Sequence, residues 1–359
     1  MTSQDDVVNL QVKVHGIDGI DEYDYIHRSS YGALVYGSAC YIRFLLALIP
    51  HSSIHNITAY EGNRAVGHLV LLEKTPHNGR PVFNSLPFFG SHGGMVCRPD
   101  TLVDPSLILK ALFARAYEIA ACADALSITI VENPLYPANL DTVARLGFDV
   151  VDDRIGQMSA LPSRALNIRA ALMDGFHQKT RNAVRKGQML NQKFTRETGD
   201  EALEWLQAVH AKSITSMGGI AKSRDVFLAL LNEFPLEQSS RLYVGSVGGM
   251  RISGLLVLLF QKTVEYFTPV CIEGYREKQA LSALIEHVMV ELATEGYELW
   301  NWGGTWRSQE GVYRFKSRFG ASEFPYRYFH KLFKPETVIT SSSVIRNQYE
   351  HFYTHKYNI

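Results

Sequence analysis

The chain has 359 residues, 46% hydrophobic and 20% charged, which is enough for about two globular domains. Its 36 Lys and Arg residues balance 36 Asp and Glu residues, which excludes a global basic field that would hold nucleic acid non-specifically. The four cysteines are scattered without zinc or disulfide spacing, and the acidic N-terminus is followed by no apolar run long enough to cross a membrane. We therefore expect a cytoplasmic protein without a metal site.

Two segments of the chain repeat each other. Residues 61–72 and 248–259 share a Gly-containing turn followed by an apolar strand, and 144–148 is echoed by 317–321. This pattern predicts a tandem duplication of one αβ unit. A duplicated fold also predicts an interdomain cleft, a frequent position for small-molecule sites.

The first copy begins with predicted strands at 56–60 and 65–72. Asp104-Pro105 then starts a helix with a favoured cap and first residue, and 127–131 is the returning strand. The interval between the second strand and this helix is about a dozen residues longer than in the second copy. Because that extra length includes segment 84–95, we predict a functional loop there.

The second copy is predicted to have the order β-β-β-α-β-α-β. Gly248-Gly249 is its hairpin turn, the long helix runs from about Gln279 to Gly296, and a short helix is closed by Gly320. The predicted strands are 241–246, 252–260, 264–270, 297–302 and aromatic strands within 324–333, with the short helix at 311–318.

Three segments carry a resemblance to a known family: 311–320 (GVYRFKSRFG), 301–305 (NWGGT) and the basic segment 179–187 (KTRNAVRKG). Together with the element order, they resemble the GNAT acyltransferase fold. Two copies in one chain resemble the FemAB/FemX family of aminoacyl transferases, which extend peptidoglycan precursors or related amine acceptors. The resemblance covers about residues 25–335.

The resemblance implies an α/β (α+β) protein of two tandem GNAT-like domains. Each domain would be a mixed, mostly antiparallel sheet flanked by helices, with a cleft between the domains. We predict the first domain at 1–163 and the second at 164–322. Residues 323–359 would supply C-terminal strands and a tail that packs back on the first domain.

The implied function is an acyltransferase that forms an amide on a primary amine of a cell-wall or glycan precursor. Aminoacyl-tRNA is the leading acyl donor, and no bound cofactor is expected. One alternative is an N-acetyl- or N-acyltransferase that uses coenzyme A or a carrier-bound acyl group. Another is a non-catalytic module that binds nucleotide-sugars or RNA.

The acceptor stays open at this point. The family's arginine that grips a nucleotide-linked acceptor is missing from segment 210–219, which reads HAKSITSMGG. An amino sugar, a small peptide or a lipid-linked glycan contacted peripherally therefore stands beside a UDP-muramyl peptide.

Lys316 and Phe315 are the predicted catalytic pair. Acyl transfer builds negative charge on the tetrahedral oxygen and on the leaving oxygen, and a fixed cation stabilises that charge. The resemblance gives Lys316 this role and gives Phe315 the role of positioning a substrate. The alternative is that Phe315 and Phe319 form a core stripe while Lys316 is solvated.

The basic segment predicts a helix with two cationic stripes. Arg181 and Arg185 lie four residues apart on one face, and Lys179 and Lys186 lie seven apart on another. Either stripe is suited to a diphosphate or a tRNA backbone. The alternative is an ordinary solvated helix face.

Arg276 adds a cation at the start of the long helix, where coenzyme A-dependent GNAT enzymes carry a Gly-rich phosphate loop. Segment 275–280 (YREKQA) lacks those glycines, as does 98–106, which disfavours coenzyme A. Tyr266, Arg307 and His92 complete the candidate substrate-binding residues. A core tyrosine and a surface histidine are the alternatives for Tyr266 and His92.

The sequence has no Ser-His-Asp or Cys-His order, which favours direct attack by the acceptor amine. No residue is identified as the base that removes the amine proton.

Overall fold

The computed structural model divides into two compact units, 1–154 with 325–359, and 155–324. It describes residues 10–30, 32–77, 79–86, 93–135, 146–305, 309–334 and 348–354. The chain passes from the first unit to the second within strand Val150–Ala160 and returns within strand Ser322–Leu332.

The described helices and strands are numbered in chain order. The strands are β1 Leu10–His15, β2 Ser52–Glu61, β3 Arg64–Lys74, β4 Val82–Asn84, β5 Val96–Cys97, β6 Ser127–Val131, β7 Val150–Ala160, β8 Lys193–Arg196, β9 Ser240–Val247, β10 Met250–Phe260, β11 Thr263–Cys271, β12 Leu299–Thr305 and β13 Ser322–Leu332. The α-helices are α1 Ile20–Ser29, α2 Ala39–Leu48, α3 Pro105–Cys122, α4 Ile168–Gly175, α5 Gln178–Gln188, α6 Asp200–Ser216, α7 Arg224–Glu233, α8 Glu273–Arg276, α9 Ala280–Thr294 and α10 Glu310–Arg318.

The first unit has the strand order β1-β2-β3-β4-β6-β13, with β5 also paired with β3. Its neighbours are antiparallel except for β4 and β6, which run parallel over Val82–Asn84 and 127–129. A parallel pair needs a crossover, and α3 supplies it. Asp104 caps α3 by accepting a hydrogen bond from the Ser106 amide at 2.8 Å, as the sequence predicts.

The second unit repeats this plan with the order β7-β12-β11-β10-β9-β8. Here β11 and β12 are the parallel pair, and α9 is the crossover. The predicted order of strands and helices in the second copy is confirmed, and so is the α/β class with mostly antiparallel sheets. The aromatic segment 324–333, predicted as more than one strand, is the single strand β13.

Each unit has its own core, between the sheet and the crossover helix. In the first unit, Leu112 of α3 packs with Phe83 and Ile128 of the parallel strands. In the second unit, Leu284 of α9 packs with Val264 and Trp300. Each of these side chains is almost fully buried, which stabilises the fold by about 1.5–3 kcal/mol per aliphatic or Phe side chain.

Cys40, Cys97, Cys122 and Cys271, all among the described residues, form no disulfide bonds. In the parts of the chain that the structure describes, the helices are too short or too polar to cross a membrane.

Candidate functional site

A cavity of about 330 Å³ lies in the second unit, where β11 ends. The two parallel strands pair over 263–265 and 299–301, and beyond that β11 continues to Cys271. The cavity has walls from β11, the start of α9, α6 and α10. The residues that line it include Ser213, Pro269, Arg276, Gln279, Ser282 and Phe315.

A second cavity, of about 280 Å³, adjoins the first and shares Ser213, Cys271 and Arg276 with it. The Arg276 guanidinium donates a hydrogen bond to Ser213 Oγ at 2.7 Å. This bond therefore lies on the wall that the two cavities share. The volumes are at the lower end of the range for small-molecule pockets.

The N-terminus of α9 borders the first cavity. Gln279 precedes the helix with φ +64°, the left-handed conformation that glycine adopts most easily, and no side chain caps the helix there. The amides of a first helical turn have no intrahelical acceptors and attract anions. With Arg276 also at this wall, the geometry suits a negatively charged group.

Lys316 is on the short helix α10 and only 6% exposed. Its ammonium donates to the carbonyl of Gly304 at 3.0 Å, to Thr305 Oγ1 at 2.8 Å and to the Gly303 carbonyl at 3.4 Å. The side chain therefore ties α10 to the end of β12. The alternative that Lys316 is simply solvated is wrong, because its ammonium is enclosed.

Burial lowers the pKa of Lys316 to about 8, since a charge is poorly solvated inside a protein. The carboxylate of Glu265 on β11 acts in the opposite direction and raises this pKa. Glu265 is itself buried, so its charge and that of Lys316 interact with little screening by water. Near neutral pH Lys316 is mostly a cation.

Gln157 of β7 extends this network. Its Oε1 accepts from Thr305 Oγ1 at 2.9 Å, and its Nε2 donates to the Tyr313 carbonyl at 3.1 Å and to Ser317 Oγ at 3.0 Å. One amide side chain thus holds both the end of β12 and the helix that carries Lys316.

An aromatic cluster lies behind the cavity. Phe315 is half-buried, lines the cavity and packs against Phe319 at 5.1 Å and Trp302 at 6.1 Å between ring centroids. Tyr266 packs 4.8 Å from Trp302, and burial raises its pKa. Phe315 therefore belongs both to the cavity wall and to the stripe with Phe319.

The basic segment forms helix α5. Lys179, Arg185 and Lys186 are exposed, whereas Arg181 is half-buried and donates a hydrogen bond to the Phe176 carbonyl. Gly187, at the end of the helix, has its backbone against Gln279: a Cβ there would lie 2.3 Å from the Gln279 carbonyl oxygen. The helix thus touches the residue that begins α9.

The structure brings several of the predicted site residues together. Phe315 and Arg276 share the cavity, Lys316 lies one residue beyond Phe315, and Tyr266 is in the adjoining core. His92 and Arg307 lie outside the described residues.

Sequence reasoning missed Ser213, Gln279, Ser282 and Gln157. These are ordinary polar residues without a motif. A left-handed Gln279 has no sequence signal, because the usual signal for that conformation is glycine.

Residues 175–317 match the family model described as "Acetyltransferase (GNAT) domain". A comparison of the sequence with curated proteins finds no match.

Several solved structures are similar to the chain. A crystal structure of FemX has 14% identity and a TM-score of 0.69, covering 89% of this chain and 98% of FemX. The C-terminal domain of a putative lysylphosphatidylglycerol synthetase from Agrobacterium fabrum has 13% identity and a TM-score of 0.54, with 92% and 96% covered. A tandem GNAT protein from the clavulanic acid biosynthesis pathway has 15% identity and a TM-score of 0.53, with 90% and 98% covered.

At these identities the structural likeness establishes the fold alone. The predicted resemblance to FemX-like GNAT proteins is confirmed at that level. Residues 175–317 are similar to a GNAT acetyltransferase domain, which supports an acyltransferase, and the chain has the fold of FemX.

Proposed function

We propose that this protein transfers an aminoacyl group from aminoacyl-tRNA to a primary amine of a cell-wall or glycan precursor. The observation that carries the proposal is the cavity of about 330 Å³ at Phe315 and Arg276, together with the buried cation of Lys316, the residue that follows Phe315. Phe315 and Lys316 are the residues that match the FemAB/FemX signature.

In the proposed reaction the neutral amine attacks the ester carbonyl carbon and forms the C–N bond. The C–O bond to the ribose then breaks, the amine loses a proton and the leaving oxygen gains one. Negative charge grows first on the carbonyl oxygen and then on the leaving oxygen. A positive charge that is already in place lowers the energy of both states.

Lys316 is proposed to supply that positive charge. Its three N–H groups donate to acceptors of β12, so its contribution would be the electric field of a desolvated cation. It would also hold residues 303–305, the end of β12, in position. Phe315 is proposed to position the substrate in the cavity.

A second acyl donor, coenzyme A, is favoured by a specific observation. Gln279 takes the left-handed conformation although it is not glycine, and Arg276 lies beside the uncapped helix start. The lack of glycines in 275–280 therefore does not prevent the backbone from forming an anion-binding turn. Both acyl donors carry phosphate groups that such a turn could bind.

The test is transfer of radiolabel from a mixed aminoacyl-tRNA pool, and in parallel from acetyl coenzyme A, into an extract of amine-bearing cell-wall and nucleotide-sugar precursors. Ribonuclease-sensitive transfer from the tRNA pool is the expected result. Transfer from coenzyme A alone would replace the proposed acyl donor. Tight binding without any turnover would instead support a binding module.

A further inference from the structure

The segment that contains α5 is strongly basic in a chain that has no net charge. Residues 175–196 include six Lys or Arg residues and no Asp or Glu. Four of the cations, Lys179, Arg181, Arg185 and Lys186, are on α5 itself. The positive potential of this surface is therefore local and does not follow from the net charge of the chain.

Helix stability explains only half of these charges. Arg185 and Lys186 lie in the last turn, where cations interact favourably with the helix dipole. Lys179 lies in the first turn, which contains no acidic residue, and there a cation is unfavourable. Because Lys179 is also exposed, neither helix formation nor packing accounts for it.

The same helix leads to the cavity. Gly187 approaches Gln279 so closely that a Cβ would lie 2.3 Å from the Gln279 carbonyl oxygen and 2.8 Å from Ala283 Cβ. Lys186 immediately precedes this contact, and Gln279 lines the cavity wall. The C-terminal end of α5 therefore lies against the start of α9, which forms part of the cavity wall.

We propose that α5 binds the phosphate backbone of an RNA, the acyl donor, and guides its 3′ end to the cavity at Phe315. The inference rests on the proposed function. Lys179 and Lys186 are separated by about 10 Å along the helix, so they contact different phosphates. A single diphosphate at Arg276 would leave Lys179 without a ligand, whereas an RNA strand continues past it.

The test compares two double variants that remove the same charge from the second unit. Lys179→Gln/Lys186→Gln neutralises the exposed stripe of α5. Arg164→Gln/Lys262→Gln is the control; Lys262 precedes β11, about 25 Å from the end of that strand. Arg164 is 91% exposed and Lys262 is also at the surface, so neither double variant alters the core.

Binding of unfractionated tRNA is measured between 50 and 200 mM salt by filter retention. A protein that makes two fewer phosphate contacts has an affinity for tRNA that depends less on salt. Between 50 and 200 mM salt, the factor by which affinity drops should be about ten times smaller for the α5 variant than for wild type. The α5 variant should also bind more weakly at 50 mM salt, and the control should match wild type. Equal tRNA binding by wild type and the α5 variant would overturn the inference.

Two further measurements separate the alternatives. Vesicles of phosphatidylglycerol and phosphatidylcholine are added in place of tRNA; if the α5 variant loses vesicle binding but keeps tRNA binding, the surface is for lipid and the inference fails. Radiolabel transfer is then measured with the same proteins. Binding of tRNA through α5 without transfer from any aminoacyl-tRNA would uphold the RNA surface while rejecting the proposed reaction.

Discussion

The two units differ most where their parallel strands end. In the second unit, β11 continues past its pairing with β12 and a cavity opens beside Phe315. In the first unit, the residue that follows β4 is instead hydrogen-bonded to β6. The Ser85 amide donates to the Thr129 carbonyl at 2.9 Å, and Ser85 Oγ accepts from the Val131 amide at 2.7 Å.

Gly93 and Gly94 also lie close to the backbone at this place in the first unit. A Cβ on Gly94 would lie 2.9 Å from the Val131 carbonyl oxygen, so the backbone itself occupies the space beside β6. In the sequence repeat, Val143 also stands where the second copy has Lys316. The two scaffolds are thus similar, and the described residues of the second carry the cavity at Phe315 and the buried Lys316.

The largest expected effect is from Lys316→Met, which would remove the cation from the second unit. We expect kcat to fall about 100-fold or more, as when a stabilising group for an oxyanion is lost. The melting temperature should also fall, because Met donates no hydrogen bond to the Gly304 carbonyl or to Thr305 Oγ1, so turnover is compared at a temperature at which both proteins are folded. Steady-state transfer and thermal unfolding measure the two effects.

Two variants control for this result. Lys262→Met removes an exposed cation from the same unit and should keep full turnover. Lys316 loses its proton above about pH 8, whereas an arginine there keeps its charge. A fall in the wild-type rate above pH 8 should therefore be absent from Lys316→Arg. Unchanged kcat in Lys316→Met would refute the catalytic role.

Acid should weaken the first unit through buried histidines. Burial lowers the pKa of His27 to about 4 and that of His68 well below its usual value. Both are neutral in the folded state, so their contribution is complete above pH 6.5 and is lost as the pH falls from 6.5 towards 4. For His27 the full loss is about 3 kcal/mol.

Urea unfolding at several pH values measures this dependence. Burial also lowers the pKa of His210 in the second unit to about 4, so His27→Gln and His210→Gln form a matched pair. Each substitution should reduce the loss of stability in acid of the unit that contains it. Hydrogen exchange measures this stability for each unit separately. If His27→Gln leaves the first unit's pH dependence intact, the assignment to His27 fails.

Gly94→Ala tests how closely Gly94 packs against the end of β6. Gly94 has φ +83° and a carbonyl oxygen in the way of any Cβ, so we expect a loss of about 2–3 kcal/mol in the free energy of unfolding. Gly62→Ala is the control, because Gly62 has φ +59° but open space around it. The free energy of unfolding should fall by only about 1 kcal/mol in Gly62→Ala. Equal losses in the two variants would contradict the close contact between Gly94 and Val131.

The smallest expected effect is from Ser213→Phe, which would fill the cavity of the second unit. We expect kcat/KM to fall about tenfold, mainly through KM, because substrate binding is obstructed. Thr215→Phe, on the exposed side of the same helix, should be neutral. Wild-type kinetics in Ser213→Phe would mean that the reaction does not use this cavity.

Much of the fold was predictable because its signals are local. The apolar run of β10, the Asp104-Pro105 start of α3 and the glycines that end α9 and α10 each act on adjacent residues. Helices α1 and α2 and strand β7 were not predicted, because they lie outside the repeated segments that indicated the fold. For the candidate site, the motif pointed to Phe315 and Lys316, but Ser213 and Gln279 had no motif.

The sequence by itself determined the duplicated plan, the order of elements in the second copy and the position of the basic helix, because periodicity, capping and turn residues operate within a few positions. Only the tertiary structure decided that Lys316 is enclosed by Gly304 and Thr305 and that α5 touches Gln279. It also decided that Ser85 bonds to β6 in the first copy and that a cavity lies at Phe315 in the second. These outcomes depend on which distant backbones approach one another, and burial and cavity volume are set by that approach rather than by neighbours in the chain.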